Sequence, residues 1–165
     1  MQAFDSLSRD IQQYIYDKGW PSLTSIQNAA IKQVANTDHN LILSAPTASG
    51  KTEAAFIPAL NSVEDWETGL KVLYISPLKA LINDQFQRIS ELSEYLDIPI
   101  TRWHGEVSQA QKRKVVNQPK GVLLITPESI EGMLVNRPGE AQHLFKGVEW
   151  IIIDELHSFL GTERG

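Results

Sequence analysis

The chain has 165 residues, enough for one domain that buries roughly 68–70% of the surface its unfolded form would expose. Its 42% hydrophobic and 21% charged residues are ordinary globular usage, with no low-complexity tract and no fixed-period repeat, so disorder and a solenoid are excluded. The absence of cysteine removes disulfides and thiolate metal sites, and the formal net charge of −5 excludes a protein that coats nucleic acid through a broad basic surface.

Residues Met1 to Asp10 lack the basic and apolar segments of a signal peptide, and no apolar run approaches the ~20 residues of a membrane span. No membrane partner and a cytoplasmic location are therefore expected. In chain order, Leu7, Ile11, Tyr14 and Ile15 predict an amphipathic helix ended by Gly19, and Ser25 to Val34 predict a second. These helices, within 1–38, read as an extension of the domain that occupies 39–165. From residue 40 onward, apolar runs of strand length alternate with stretches of helical period. The predicted strands are Asn40 to Ser44, Lys71 to Ser76, Ile100 to Trp103, Gly121 to Thr126 and Val148 to Asp154. Val122-Leu123-Leu124-Ile125 and Ile151-Ile152-Ile153 are apolar at consecutive positions, the pattern of strands covered on both faces, so a parallel sheet is expected. Leu78, Leu81, Ile82, Phe86, Ile89 and Leu96 predict one buried helical stripe. Weaker helices are expected over Lys51 to Trp66, Ser108 to Val116, Pro127 to Val135 and Glu140 to Phe145. The sum is a doubly wound α/β fold, in which ligands bind at the carboxyl ends of the strands.

Ala45-Pro46-Thr47-Ala48-Ser49-Gly50-Lys51-Thr52 lies between a predicted strand and a predicted helix, the context that a Walker A phosphate loop requires. Backbone N–H groups at a helix N-terminus suit the α- and β-phosphates, and Lys51 reaches the β/γ-phosphates as a point charge. The Thr52 hydroxyl is a hard oxygen for Mg²⁺, and Gly50 lets the backbone approach a ligand. Ala45 stands where the general pattern has its first glycine. Much further along, Ile151 to His157 sets Asp154 and Glu155 at the end of an apolar strand, where an isolated charge is costly and a metal ion removes the cost. Asp154 is placed to hold Mg²⁺, and Glu155 to orient or deprotonate the water that attacks a γ-phosphate. Taken alone, a strand that simply meets solvent at Asp154 is the plainer alternative.

Asp154-Glu155-Leu156-His157 resembles the DExH motif of superfamily 2 DEAD/DExH-box helicases, and Ala45 to Thr52 resembles their motif I. Gly19-Trp20-Pro21-Ser22-Leu23-Thr24-Ser25-Ile26-Gln27 is similar to the Q motif, Ser76-Pro77-Leu78-Lys79-Ala80-Leu81 to motif Ia and Thr126-Pro127-Glu128-Ser129 to motif Ib, in the family's order. The resemblance implies a RecA-like P-loop NTPase domain, a mainly parallel sheet with helices on both faces, incomplete at its C-terminus, that binds ATP and Mg²⁺ for a helicase or translocase. It implies catalytic roles for Lys51, Asp154, Glu155 and His157, Mg²⁺ held by Thr52 and Asp154, and ATP held by the 45–52 loop. Gln27 would read adenine, while Ser76, Pro77, Lys79, Thr126, Pro127 and Glu128 would contact a DNA or RNA strand, DNA being favoured. Ser76 to Leu81 and Ile151 to Gly165 look closest to the large helicase-related (Lhr-type) branch. Motif III, the second RecA-like lobe and its arginines have no counterpart here. A truncated lobe of a longer protein is expected, hydrolysing ATP poorly by itself, since such an arginine contributes about 10³–10⁵ in rate in P-loop enzymes.

Several of these segments have local explanations as well. Thr24 to Gln27 fits a helix capping box. Ser76-Pro77 and Thr126-Pro127 each fit an N-cap followed by proline at the first helical position, a feature that also presents N–H groups to a phosphate, with Lys79 nearby. Phe4 fits a core or surface aromatic, or, as the resemblance implies, a stacking partner for adenine. Arg102-Trp103-His104-Gly105 fits a strand end with a half-buried tryptophan or a segment that contacts a nucleic-acid strand. Lys112-Arg113-Lys114 reads as a solvated helix face. At the level of function, a P-loop ATPase of another class and a non-catalytic nucleotide-binding module stand as alternatives to a helicase.

Overall fold

A computed structural model describes residues 2–161, so Thr162 to Gly165, the end of the Lhr-like stretch, lie outside the described residues. The chain divides into two compact units, Met1–Glu64 and Asp65–Gly165. In the first, a helical turn at Phe4–Ser6 leads to α1 (Arg9–Asp17), α2 (Ser25–Asn36) and α3 (Lys51–Ser62). Ser8 caps α1 by accepting the Ile11 N–H, and Ile11, Tyr14 and Ile15 form the buried face that their spacing predicts. α2 packs along α3, whose Phe56, Ile57 and Leu60 are buried.

Residues 40–44 do not form the predicted strand, and Ile42 is 84% exposed. A strand is held by ladder hydrogen bonds to a neighbour, and the four-stranded sheet takes no strand from this segment. Apolar composition alone does not make a strand where no partner edge is engaged.

The second unit runs β1 (Gly69–Ile75), α4 (Lys79–Tyr95), β2 (Ile100–Trp103), α5 (Gln109–Asn117), β3 (Lys120–Ile125), α6 (Pro127–Asn136), α7 (Pro138–Phe145) and β4 (Trp150–Ile153). Every pairing is parallel, as expected, in the order β2-β3-β1-β4. On one face Leu70, Leu73, Trp103, Leu123 and Ile125 pack against Val115, Met133, Ala141 and Leu144 from α5, α6 and α7. The alternate residues Val122 and Leu124 point to the opposite face and are equally buried, and α4 packs on β2 and β3. Each such leucine or isoleucine contributes about 1.5–3 kcal/mol by leaving water.

Two expectations are corrected here. β4 is not covered on both faces: among the described residues it pairs with β1 alone at the edge of the sheet, with Ile151 59% and Ile153 47% exposed. α4 does not start from Ser76-Pro77, because the Ser76 N–H donates to the Ile125 carbonyl at 3.2 Å and so continues the sheet ladder. The N-cap is Leu78, which is 55% exposed and off the predicted stripe; the buried positions of α4 are Ile82, Ile89, Leu92 and Ser93. No helix among the described residues is long and apolar enough to cross a membrane.

Candidate functional site

In the first unit, α3 opens at Lys51 with Gly50 as N-cap in the left-handed conformation (φ +82°), and Ala48 is left-handed too (φ +60°). Left-handed residues among right-handed ones turn successive N–H groups to one side, the concave arrangement that receives an anion at a helix N-terminus. The 45–52 segment is thus a loop leading into a helix, without the strand expected before it. Pro46, Thr47, Ala48 and Lys51 are exposed, while Ala45, Ser49, Gly50 and Thr52 are half-buried. The Ser49 hydroxyl is buried with no hydrogen-bond partner, a group that a phosphate oxygen would satisfy.

Gln27 is 4% exposed and acts as a helix cap. Its Oε1 accepts the Thr24 N–H at 2.9 Å while its own N–H donates to Thr24 Oγ1 at 3.4 Å. Its Nε2 also donates to the Gly50 carbonyl at 3.3 Å. A Cβ at Gly50 would stand 2.5 Å from that Nε2, so the glycine answers to Gln27 as well as to its own φ angle. The amide keeps one further N–H and one lone pair with which a base edge could bond. Phe4 lines a cavity of about 380 Å³ together with Ile15, Tyr16, Trp20 and Leu23.

In the second unit, Asp154 follows β4 and its N–H donates to the Ile75 carbonyl at 2.9 Å. Asp154 Oδ2 accepts the Tyr74 hydroxyl at 2.5 Å, and Oδ1 accepts the Glu155 N–H at 2.8 Å. Tyr74 sits on β1 opposite Ile152, and burial, then the carboxylate it touches, push its phenol far above the ordinary tyrosine range. It therefore stays a hydroxyl donor. The sequence reading missed Tyr74; its one signal is a polar tip near the end of a mostly aliphatic strand. Glu155 has a left-handed backbone (φ +53°), which costs a non-glycine residue about 1–2 kcal/mol and is held by the Ser158 N–H and Oγ, each donating to the Glu155 carbonyl at 2.8 Å. His157 Nε2 lies 3.1 Å from Glu155 Oε2, so Asp154, Glu155 and His157 converge in one turn.

Mg²⁺ takes few protein ligands beside phosphate and water, all of them hard oxygens. Each unit offers donors of that kind: in the second, both Asp154 oxygens retain a lone pair, and in the first, Thr52 carries a hydroxyl. Among the described residues no group of three or more His, Cys, Asp or Glu is placed to hold a metal ion.

A groove of about 410 Å³ opens on the second unit where three segments meet: Pro77, Leu78 and Lys79 at the start of α4, His104 and Gly105 after β2, and Thr126, Glu128 and Ser129 at the start of α6. It lies at the carboxyl ends of β1, β2 and β3, where an open parallel sheet binds its ligands. Of the residues expected to contact a strand, Pro77, Lys79, Thr126 and Glu128 line it, whereas Ser76 is fully buried and Pro127 stands outside the lining. Thr126 is the N-cap of α6 with Pro127 at the first helical position, as predicted, and its Oγ1 lies 2.8 Å from Ser129 Oγ. Lys79 pairs with Glu106, whose carboxyl is held below its usual value by that hydrogen bond and charge.

The segment 102–105 divides between its two readings. Trp103 is buried in the core with Lys112 Nζ 5.7 Å over its ring, and Arg102 lies 4.8 Å over the Phe86 ring, whereas His104 and Gly105 belong to the groove. Arg113 and Lys114 are exposed, as a solvated face requires. Sequence reasoning missed Asn83 and Glu106, whose places depend on how α4 meets the turn after β2.

A parallel sheet, a phosphate loop opening a helix and an aspartate at a strand end define a RecA-like P-loop nucleotide-binding domain. The profile of the DEAD/DEAH box helicases matches residues 24–165, and the chain belongs to that family. It is similar to the ATP-dependent helicase Lhr-Core of Saccharolobus solfataricus, with 33% identity over 160 residues covering 88% of this chain and 18% of that protein. It is also similar to the Lhr helicase/uracil glycosylase of Escherichia coli, with 34% identity over 166 residues covering 86% of this chain and 10% of that protein. Among solved structures, Mycobacterium smegmatis helicase Lhr bound to ssDNA and AMP-PNP matches with a TM-score of 0.85 at 28% identity, covering 99% of this chain and 22% of that one. The DUF1998 helicase MrfA bound to DNA and AMPPNP gives 0.82 at 28% identity, covering 94% and 22%. These relatives agree with the Lhr-type branch that the motifs suggest, and the chain spans between 10% and 22% of their lengths.

Proposed function

We propose that the chain is the ATP-binding lobe of an ATP-dependent helicase or translocase, with the helices of 1–38 belonging to that lobe and a second RecA-like lobe completing the motor. The nucleotide's phosphates lie on the 45–52 loop, with Lys51 at the β/γ-phosphates and Thr52 and Asp154 holding Mg²⁺. Bound there, the ion neutralises charge that develops on the transferring phosphoryl group. Tyr74 holds the Asp154 carboxylate in place through its hydroxyl. Glu155 orients the attacking water and takes its proton, and His157, 3.1 Å from the Glu155 carboxylate, keeps that carboxylate aimed. Adenine recognition falls to Gln27 through its remaining N–H and lone pair, with Phe4 close by in the same unit.

A single strand runs through the groove of the second unit, its phosphates on Lys79 and the N-terminus of α6. DNA is the favoured strand, since the Lhr and MrfA structures similar to this chain hold DNA. A cytoplasmic place of action belongs to the same reading.

The observation that carries this reading is the groove. Phosphate loops serve many kinds of ATPase, but the meeting of three segments at one end of the sheet is what a strand-tracking enzyme needs. The test measures a fluorescent single-stranded oligonucleotide and a Mg²⁺-nucleotide in parallel. Lys79→Ala should weaken oligonucleotide binding severalfold and spare the nucleotide, and Lys51→Ala should do the reverse. Unchanged oligonucleotide binding by Lys79→Ala sends the strand elsewhere, and unchanged nucleotide binding by Lys51→Ala refutes the loop assignment.

A further inference from the structure

We propose that Asn83 is a positioning residue for the groove, the side chain that fixes its His104–Gly105 wall; the inference rests on the groove taking a nucleic-acid strand. Asn83 lies on α4, and its Oδ1 accepts from Arg102 Nη1 at 2.9 Å and faces His104 Nε2 at 3.0 Å. A guanidinium has donors and no acceptor, so the atom it meets is the amide oxygen. His104 Nε2, facing that same oxygen, must then carry a proton. The other ring nitrogen, Nδ1, accepts the Glu106 N–H at 3.2 Å and so carries none.

The imidazole is therefore held as the neutral Nε2–H tautomer, tied to α4 at one end and to its own turn at the other. His104 is 5% exposed, and a ring N–H buried without an acceptor would be unfavourable. On the far side of Asn83, the stacking of Arg102 over Phe86 fixes the guanidinium and with it the direction of the amide. The next residue, Gly105, has no atom within 4 Å of an added Cβ, so packing does not demand a glycine there and its bare backbone lines the groove. The place of that backbone follows from the ring, and the place of the ring from Asn83. A strand passing between Lys79 and Gly105 meets a wall already set, with no ordering cost at binding.

The test uses the 165-residue chain, a fluorescent single-stranded oligonucleotide and nitrogen-edited NMR of the imidazole rings. The ligand-free wild type should show His104 as the neutral Nε2–H tautomer. Asn83→Leu removes the acceptor and should lose that signature and weaken oligonucleotide binding about tenfold, the scale of a buried donor left unsatisfied. Asn83→Asp keeps an oxygen in place and should retain the tautomer and most of the affinity. Nucleotide binding should stay unchanged in both variants, reporting that the fold is intact.

An Nδ1–H tautomer in the wild type, or an Asn83→Leu protein that binds the oligonucleotide as tightly as the wild type, overturns the proposal. If Asn83→Leu does not fold, Asn83→Asp decides: loss of binding with the tautomer intact counts against the role. A wild type that shows the expected tautomer but binds no oligonucleotide removes the groove reading itself, and the role of Asn83 falls with it.

Discussion

Gln27 and Gly50 are locked together, which makes the phosphate loop sensitive to a methyl group. Gly50→Ala places a Cβ 2.5 Å from Gln27 Nε2 and forces alanine into a left-handed backbone, which by itself costs about 1–2 kcal/mol. Urea denaturation should show a loss of at least that size. Gln27→Ala, which breaks the capping box, should cost about 1 kcal/mol. Because the steric conflict vanishes when both are changed, the double variant should lose less than the sum of the two, and strict additivity would show that they do not touch. His104 makes a pH prediction. Burial first, and the Arg102 charge next, hold its imidazole below the ordinary histidine value. With the folded value depressed, the unfolded chain takes up the proton first as pH falls. The stability from His104 is complete above about pH 6.5 and is lost as pH drops through the folded value, so the acid limb of a stability profile should be shallower in His104→Gln.

The elements divide according to whether a partner was visible in the sequence. α1, α2, α5 and α6 carry their own punctuation, such as Ser8, Thr24, Ser108 and Thr126-Pro127, and were legible to within a few residues. β3 was legible because its apolar run is buried on both sides by its neighbours. Of two similar apolar runs, 148–154 forms the expected strand but with an exposed face and 40–44 forms none, because what lies beside each run is not encoded in its composition. The 45–52 loop and the Asp154-Glu155 pair are local patterns that a sequence can propose as a site, whereas Tyr74, Asn83 and Glu106 make contacts across elements that no local pattern encodes. The ion pair between Lys79 and Glu106 is exposed and screened by solvent, so Glu106→Gln, by freeing the lysine, should tighten oligonucleotide binding by no more than about fivefold. Anisotropy titrations that show weaker binding would mean that Glu106 supports the wall and does not compete for the cation. The open edge of β4, with Ile151 and Ile153 facing solvent, is a template for pairing with another chain. Sedimentation velocity should find concentration-dependent self-association of this chain, and Ile153→Lys should reduce it without unfolding.

For the molecule as a whole, a net charge of −5 leaves strand binding to a few local contacts. Each neutralised phosphate of a single strand contributes about −0.7 to the slope of log affinity against log salt, so a groove built on Lys79 and one helix N-terminus should give a slope of about −1. A slope several times steeper would reveal a broad cationic path, contrary to what a net charge of −5 leads one to expect. β1 occupies the middle of the order β2-β3-β1-β4, and its end serves both sides. Tyr74 reaches one way to Asp154, and Lys79, five positions later, reaches the other way into the groove. At most about 17 Å of chain separates them. On the proposed function, a displacement at the end of β1 passes to Asp154 through the Tyr74 hydroxyl and to Lys79 through residues 76–78, so the nucleotide and the strand sense one and the same strand end.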